Sequence, residues 1–274
     1  MLFRSLRRLS SRLLLVFLGL QPLPVGAEVG LRTLDTADAV RGLEGVGRID
    51  IGTRGFCTGA LVSPTLVLTA AHCVFDMETG SAHDIDTIAF RAGLRFGHED
   101  ARRGVRRMVI DPAYRPSSKP TVGGVSHDLA LLELDRSLDL PRIRPFPARG
   151  RLRRGDTVQV VSYGRDRADA PSQEDACRVL DRDARILVLS CSVDFGSSGS
   201  PVFVATQAGL QIVSVISAMG TWQGERAAFA VTVEQGLQRL KWELGRTTTL
   251  SPGAKRLQVG SGGSGNIRFH RPEG

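Results

Sequence analysis

Short β-rich runs separated by turn residues are the feature that most constrains the fold of this chain. Clusters of Gly, Pro, Asp and Ser divide residues 58–233 into ten such runs. They are Thr58–Val62, Leu66–Thr69, Thr87–Ala92, Val105–Ile110, Leu129–Leu134, Thr157–Tyr163, Ile186–Cys191, Pro201–Val204, Leu210–Ser217 and Ala227–Val233. Many short strands joined by turns are typical of antiparallel barrels and sandwiches. Because the strand–helix alternation of a parallel sheet is missing, the chain is predicted to be all-β.

A single amphipathic helix is predicted after the last of these runs. Apolar side chains recur at three- to four-residue spacing from Val233 to Leu244, and Gly245 follows as a stop signal. Residues 246–274 are rich in Thr, Ser, Gly and Pro and contain the Gly/Ser run Gly260–Gly265. Such a segment cannot bury enough apolar area to order itself, so it is predicted to be a flexible tail.

Residues 1–27 have the three regions of a signal peptide. Four arginines precede the apolar run Leu13–Leu20, and small residues up to Ala27 match the positions that a signal peptidase inspects. We expect cleavage after Ala27, and a buried N-terminal helix is the alternative. Residues 28–45 lack a pattern and form either an arm that wraps the domain or a short propeptide. The protein is expected to be exported, periplasmic or secreted, with no membrane contact after cleavage, since no apolar run is long enough to span a bilayer.

The charge balance argues against a nucleic-acid partner. Lysine and arginine total 36 against 28 aspartate and glutamate residues, and loss of residues 1–27 removes four arginines and no acids, which lowers the net charge from +8 to +4. The other arginines are interspersed with acids, and 5% of the residues are aromatic. Nucleic-acid binding usually needs a concentrated basic stripe with aromatic side chains for stacking. We expect no nucleic-acid binding, and the sequence leaves the oligomeric state open.

Four cysteines, Cys57, Cys73, Cys177 and Cys191, lie in the part of the chain expected to be exported. An even number of cysteines in an oxidising compartment favours disulfides, and three pairings are possible. A zinc site is disfavoured because no C-x2-C spacing and no histidine cluster accompany the cysteines. We expect the two local bridges, Cys57–Cys73 and Cys177–Cys191, each stabilising the fold by about 3 kcal/mol in the chain-entropy model. No metal site is predicted.

Three local sequences contain the residue types that nucleophilic hydrolysis requires. They surround His72 (LTAAHC), Asp128 (SHDLALL) and Ser198 (GSSGSP). A serine hydroxyl is a weak nucleophile at neutral pH, so it needs an imidazole to take its proton and a carboxylate to fix the imidazole tautomer. His72, Asp128 and Ser198 are therefore the predicted base, acid and nucleophile. Taken singly, each has an ordinary alternative as a buried histidine, a turn or cap residue, or one of many loop serines.

At these residues the chain resembles the trypsin/chymotrypsin-like serine endopeptidases, over roughly residues 46–245. The run from Cys57 to Cys73 matches the family around its catalytic histidine, including the flanking disulfide, and the order His, Asp, Ser matches as well. The resemblance implies two antiparallel six-stranded β-barrels, spanning residues 46–140 and 148–233, with the site in the cleft between them. It also implies hydrolysis of peptide or protein substrates through an acyl-enzyme, without a cofactor.

The serine motif departs from the vertebrate digestive enzymes and is similar to the bacterial glutamyl-endopeptidase branch. Ser197 stands where the digestive enzymes have the aspartate that pairs with a newly cut N-terminal amine, so activation of that kind is not expected. Ser200 stands where those enzymes have glycine. Gly196 and Ser198 lie where the family uses backbone N–H groups to bind the oxyanion.

The resemblance places Ser192, Ser217 and Met219 among the substrate-binding residues. Ser192 matches the pocket floor where trypsin has an aspartate, and Ser217 matches the serine whose backbone pairs with substrate. The glutamyl-specific branch uses a histidine in the strand of Ser217, and this strand has none. A neutral, moderately apolar pocket with Met219 at its edge is therefore expected, unless Asp194 turns inward.

Two other classes of protein fit parts of this pattern. A catalytically silent member of the fold would use the cleft to bind a peptide or a partner, and the unusual Ser197 is compatible with it, whereas the complete set of base, acid and nucleophile argues against it. An α/β-hydrolase requires glycine two residues after the nucleophile and a serine that precedes the acid and the histidine. Here that position is Ser200 and the serine comes last.

Overall fold

The computed structural model describes residues 30–53, 55–246 and 268–270, so the predicted signal peptide and most of the predicted tail lie outside the described residues. The strands are β1 (Arg32–Thr33), β2 (Val46–Ile51), β3 (Gly55–Ser63), β4 (Leu66–Thr69), β5 (Ile88–Ala92), β6 (Ala101–Ile110), β7 (Ala130–Leu134), β8 (Thr157–Gly164), β9 (Arg167–Asp183), β10 (Ile186–Leu189), β11 (Pro201–Thr206), β12 (Gly209–Trp222), β13 (Glu225–Thr232) and β14 (Arg268–His270). The helices are α1 (Val122–Ser126) and α2 (Glu234–Arg246), and 3₁₀ turns occupy Ala71–Val74 and Ile85–Thr87.

The strands form two antiparallel six-stranded barrels, which confirms the predicted fold class. The first barrel closes in the order β2-β3-β4-β7-β6-β5. The second runs β9-β10-β13-β12-β11-β8 and closes through the pairing of β8 with β9. All of the predicted β-rich runs overlap one of these strands, whereas β2 and β9 were not among them.

The two barrels share one apolar core across their junction. Phe203 and Ile212 of the second barrel belong to the same buried cluster as Ile49 and Leu131 of the first. The ring of Phe146, from the segment that connects the barrels, lies 4.8 Å from the ring of Phe203. Because this packing is continuous, loops from the two barrels are held in fixed positions at the junction.

Residues 30–45 pack as an arm against both barrels. Leu34, Val40 and Leu43 are buried in the shared core. The short strand β1 pairs with β9, and the N–H of Leu34 donates to the carbonyl of Pro171 at 2.8 Å. This segment therefore contributes apolar contacts to the folded domain.

The segment predicted to be a flexible tail contains one described strand. β14 pairs antiparallel with β12, so at least these three residues depart from the prediction. A sheet edge supplies main-chain hydrogen bonds that do not depend on apolar composition, which is why the composition gave no sign of the pairing. Among the described residues, no helix is both long and apolar enough to cross a membrane.

Both predicted disulfides are confirmed. Cys57–Cys73 joins β3 to the 3₁₀ turn after β4, and Cys177–Cys191 joins β9 to the segment after β10. The first bridge therefore fixes the turn that contains His72 to the wall of the first barrel.

Candidate active site

His72 and Asp128 meet because the strands that precede and follow them are neighbours. His72 lies in the 3₁₀ turn after β4, and Asp128 lies just before β7, with Thr69 and Ala130 paired across the two strands. The Nδ1 atom of His72 is 2.7 Å from Oδ2 of Asp128. The backbone N–H of His72 donates to Oδ1 of the same carboxylate at 2.8 Å. Two contacts to one buried carboxylate thus fix both the ring and the backbone of His72.

Ser217, on β12 of the second barrel, completes the surroundings of this carboxylate. Its hydroxyl donates to Oδ2 of Asp128, and both residues are fully buried. The matched position of Ser217 in the family motif predicted a role for its backbone only, so the contact of its hydroxyl is an additional feature. A buried carboxylate needs hydrogen-bond partners to offset its loss of hydration, and Asp128 has at least three of them, from two barrels.

Ser198 lies in the nucleophile loop (Asp194–Ser200), between β10 and β11, and is 5% exposed. Its carbonyl accepts the N–H of Thr58 at 2.8 Å, and the N–H of Gly199 donates to a carbonyl of β12 at 2.8 Å. Within the described residues no hydrogen bond joins the Ser198 hydroxyl to His72, and catalytic hydrogen bonds of this kind are often long in proteins without bound substrate.

Thr58 contacts the nucleophile loop, and no motif in the sequence pointed to it. Its side-chain hydroxyl donates to the carbonyl of Gly196 at 2.8 Å and accepts the N–H of Tyr163 at 3.0 Å. Its carbonyl accepts the hydroxyl of Thr69, three residues before the histidine, at 2.9 Å. Together with the bond from its N–H to Ser198, Thr58 ties the nucleophile loop to the strand that leads to His72.

The nucleophile loop turns so that two backbone N–H groups have no acceptor within the described part of the chain. Gly196 and Ser198 carry these groups, whereas the intervening N–H of Ser197 donates to the carbonyl of Asp194 at 2.9 Å. Gly196 has φ +86°. A Cβ atom at this position would lie 2.2 Å from the ring of Phe56, so both the backbone and the space require glycine.

The predicted substrate-binding residues are only partly brought together. Ser217 and the half-buried Met219 share β12, whereas Ser192 is exposed. The backbone N–H of Ser192 donates to Oε2 of Glu174 at 2.7 Å. Glu174, which sequence analysis did not consider, is buried, and burial raises the pKa of its carboxyl group. Asp194 is half-buried, and its Oδ1 accepts the N–H of the following residue at 2.7 Å.

Known proteins are similar to this chain in sequence and in fold. Residues 46–240 match the family model described as Trypsin. The chain is 40% identical over 97 residues to "Modular serine protease" of Drosophila melanogaster, which covers 33% of this chain and 15% of that protein. It is 32% identical over 89 residues to "Coagulation factor IX" of Cavia porcellus, which covers 32% of this chain and 28% of that protein. The chain thus spans less than a third of the length of these curated relatives.

Two solved structures share the fold of this chain. The structure titled "Structure of Glu endopeptidase in complex with MPD" superposes with a TM-score of 0.65 at 18% identity, over 79% of this chain and 97% of that one. A thermostable serine protease, AL20, from an extremophilic microorganism superposes with a TM-score of 0.61 at 18% identity, over 75% of this chain and 98% of that one. The family match extends over both barrels and includes every residue of the candidate site described above, and the chain therefore belongs to the trypsin family of serine proteases.

Proposed function

We propose that this protein is an exported serine endopeptidase that hydrolyses peptide bonds through a covalent acyl-enzyme. The observation that carries the proposal is the buried contact of 2.7 Å between His72 and Asp128, placed against a loop that presents Ser198 and two N–H groups without acceptors. Membership of the trypsin family and the two-barrel fold support proteolysis.

In the proposed mechanism, Ser198 attacks the scissile carbonyl carbon while Nε2 of His72 takes the hydroxyl proton. Asp128 keeps Nδ1 protonated and stabilises the imidazolium that forms. The N–H groups of Gly196 and Ser198 donate to the oxyanion of the tetrahedral intermediate. His72 then gives the proton to the leaving amine. In the second half of the reaction, water attacks the acyl carbon while His72 takes its proton, and His72 returns that proton to the oxygen of Ser198 as the acid product leaves.

We propose that the substrate side chain next to the scissile bond is uncharged. Met219 lies opposite Ala228 in the pairing of β12 with β13, so small apolar side chains neighbour the edge of the expected pocket. Glu174 accepts the N–H of Ser192 at 2.7 Å, and burial raises the pKa of its carboxyl group. Peptide or protein substrates follow from the family, and export is supported by the two disulfides together with the signal-peptide pattern of residues 1–27.

The test is labelling of the purified protein by a fluorophosphonate, which reacts covalently with activated serines. We expect the unmodified protein to be labelled at Ser198 and the Ser198→Ala variant to remain unlabelled. Circular dichroism should show that both proteins are folded. Ser137→Ala, which removes an exposed serine of the first barrel, should be labelled as fast as the unmodified protein. Absence of labelling in the folded, unmodified protein would overturn the proposal in favour of a catalytically silent binding module.

A further inference from the structure

A half-buried guanidinium contacts the nucleophile loop. Arg167 is the first residue of β9, just after the turn from β8. Its Nη2 donates to the hydroxyl of Ser197 at 3.1 Å, while its Nη1 donates to the carbonyl and the hydroxyl of Ser162 at 2.6 and 3.0 Å. One side chain thus bridges the nucleophile loop and β8.

The surroundings of Arg167 are specific to this side chain. Burial lowers the pKa of its guanidinium, whereas the charges of Asp194 and Glu174 raise it, and within the described residues the group forms no salt bridge. The absence of a side chain at Gly164 leaves room for the guanidinium of Arg167, because a Cβ atom at Gly164 would lie 2.8 Å from the guanidinium carbon. Burial of a cation is costly without good hydrogen bonds, so the three bonds to Ser162 and Ser197 are the compensation that the site provides.

Ser197 transmits this anchoring to the loop. Its hydroxyl also accepts the N–H of Asp194 at 3.3 Å and lies 3.3 Å from the hydroxyl of Ser162. Ser197 stands between Gly196 and Ser198, whose N–H groups are the proposed oxyanion donors. The peptide units on both sides of Ser197 are therefore fixed by a side chain that Arg167 holds.

We propose that Arg167 is a positioning residue that keeps the N–H groups of Gly196 and Ser198 aimed at the oxyanion by holding Ser197. The proposal rests on the function proposed above. The positioning role goes beyond the proposed function, because Arg167 is not a member of the triad. The role is inferred from the contacts of Arg167 alone.

The test compares Arg167→Met, Arg167→Lys and Ser197→Ala. We expect Arg167→Met to lower kcat about 10- to 100-fold with KM changed by less than about twofold, because the lost alignment acts on the transition state. Arg167→Lys should recover part of kcat, since it keeps the charge without the fork that reaches both serines. The double variant with Ser197→Ala should lose no more than the worse single variant, because both remove the same link.

Arg182→Met is the matched control. Arg182 lies on the same strand and donates Nη1 to the carbonyl of Leu152 at 2.7 Å, away from the nucleophile loop. The Arg182→Met variant should have lower thermal stability and an unchanged kcat. An unchanged kcat in Arg167→Met would overturn the proposal. A readout that does not need activity is the backbone amide NMR shift of Gly196 and Ser198, which should move in Arg167→Met but not in Arg182→Met. If the protein is catalytically silent, unmoved shifts overturn this proposal separately.

A different observation concerns the edge of β12 beside the proposed substrate-binding residues. β14 pairs with this edge in antiparallel register, with Met219 opposite His270, Gly220 opposite Phe269 and Thr221 opposite Arg268. On its other side, the same stretch of β12 pairs with β13. An exposed strand edge binds an extended peptide through main-chain hydrogen bonds, and here the peptide belongs to the same chain.

We infer that segment Arg268–His270 occupies the edge that the main chain of a substrate would use and competes with it intramolecularly. A strand edge has one row of hydrogen-bonding groups, so it cannot pair with β14 and with a substrate at the same time. Met219 lies two residues after Ser217, so the occupied edge adjoins the buried Asp128 contact. This inference also rests on the proposed function.

The test is a double substitution, Arg268→Pro with His270→Pro, in the full chain. Proline lacks the N–H that a ladder needs, so the segment should leave the edge and KM for a peptide substrate should fall about 3- to 10-fold, which corresponds to an edge that is free about a third to a tenth of the time. Arg268→Ala with His270→Ala keeps both N–H groups and is the matched control, with a KM near that of the unmodified chain.

Equal KM values in the proline and alanine variants would overturn the inference. Binding of a fluorescent peptide with the sequence of residues 266–272 separates this outcome from failure of the proposed function. Measured in the Ser198→Ala background by fluorescence anisotropy, the peptide should bind the proline variant more tightly than the alanine variant. Equal binding to the two would contradict the inference even if the protein has no catalytic activity.

Discussion

Replacement of His72 by alanine is expected to lower kcat/KM for peptide hydrolysis by about 10⁶-fold, the loss typical of serine proteases that lose their catalytic histidine. Two hydrogen bonds to Asp128 hold the imidazole and its backbone. No other described side chain in the site is placed to take the proton of Ser198, so the nucleophile would stay a neutral alcohol. Initial rates with a peptide substrate, compared at matched folded protein concentration, measure the effect.

His98→Ala is the control for this substitution. His98 is an exposed histidine of the first barrel, so its removal should leave kcat/KM unchanged within about twofold. A double variant of His72→Ala and Ser198→Ala should lose no more activity than the worse single variant, since base and nucleophile act as a unit. Activity retained in His72→Ala, or losses that add in the double variant, would contradict the assigned roles.

The barrels could be predicted because most of their strands are recognisable from their local sequence. β4, for instance, is a short run of β-branched and apolar residues bounded by turn residues, and three of its four residues are buried. β9 is different, because its 17 residues include three arginines and four aspartates, and isolated buried positions such as Cys177 and Val179 lie between its exposed charged residues. A long strand that pairs with β8 and β10 along different parts of its length shows no single alternation from end to end.

The residues of the site likewise fall into those that local sequence predicts and those that depend on contacts distant in sequence. His72 and Asp128 could be picked out because each lies in a short motif, and neighbouring strands bring them into contact. Thr58 and Arg167 could not, because each acts through partners distant in sequence: 138 residues separate Thr58 from Gly196, and 30 separate Arg167 from Ser197. Contacts of this kind depend on how the two barrels and their hairpins are packed, which local periodicity does not report.

The tightest glycine position in this packing is Gly199, and Gly199→Ala is expected to lower the free energy of unfolding by about 2–5 kcal/mol. A Cβ atom there would lie 2.1 Å from the hydroxyl oxygen of Thr69 and 2.2 Å from the carbonyl oxygen of Thr58. The φ of +79° adds strain of about 1–2 kcal/mol for any residue with a Cβ atom. The carbonyl belongs to a barrel strand and cannot move cheaply, so overpacking adds a further 1–3 kcal/mol or so.

Gly224→Ala separates the two contributions. Gly224 has φ +89°, but a Cβ atom there meets nothing within 4 Å, so this variant should lose only the backbone term. Urea unfolding followed by circular dichroism gives the loss of unfolding free energy in both variants. Equal losses would mean that the nucleophile loop can move away from Thr58 and Thr69.

Such a movement would carry Ser198 away from His72, because the contact that limits Gly199 is made by the segment that leads to the histidine. A Gly199→Ala protein that folds as stably as Gly224→Ala should therefore still react slowly with a fluorophosphonate, whereas normal stability with normal reactivity would show that the contact does not set the position of the nucleophile.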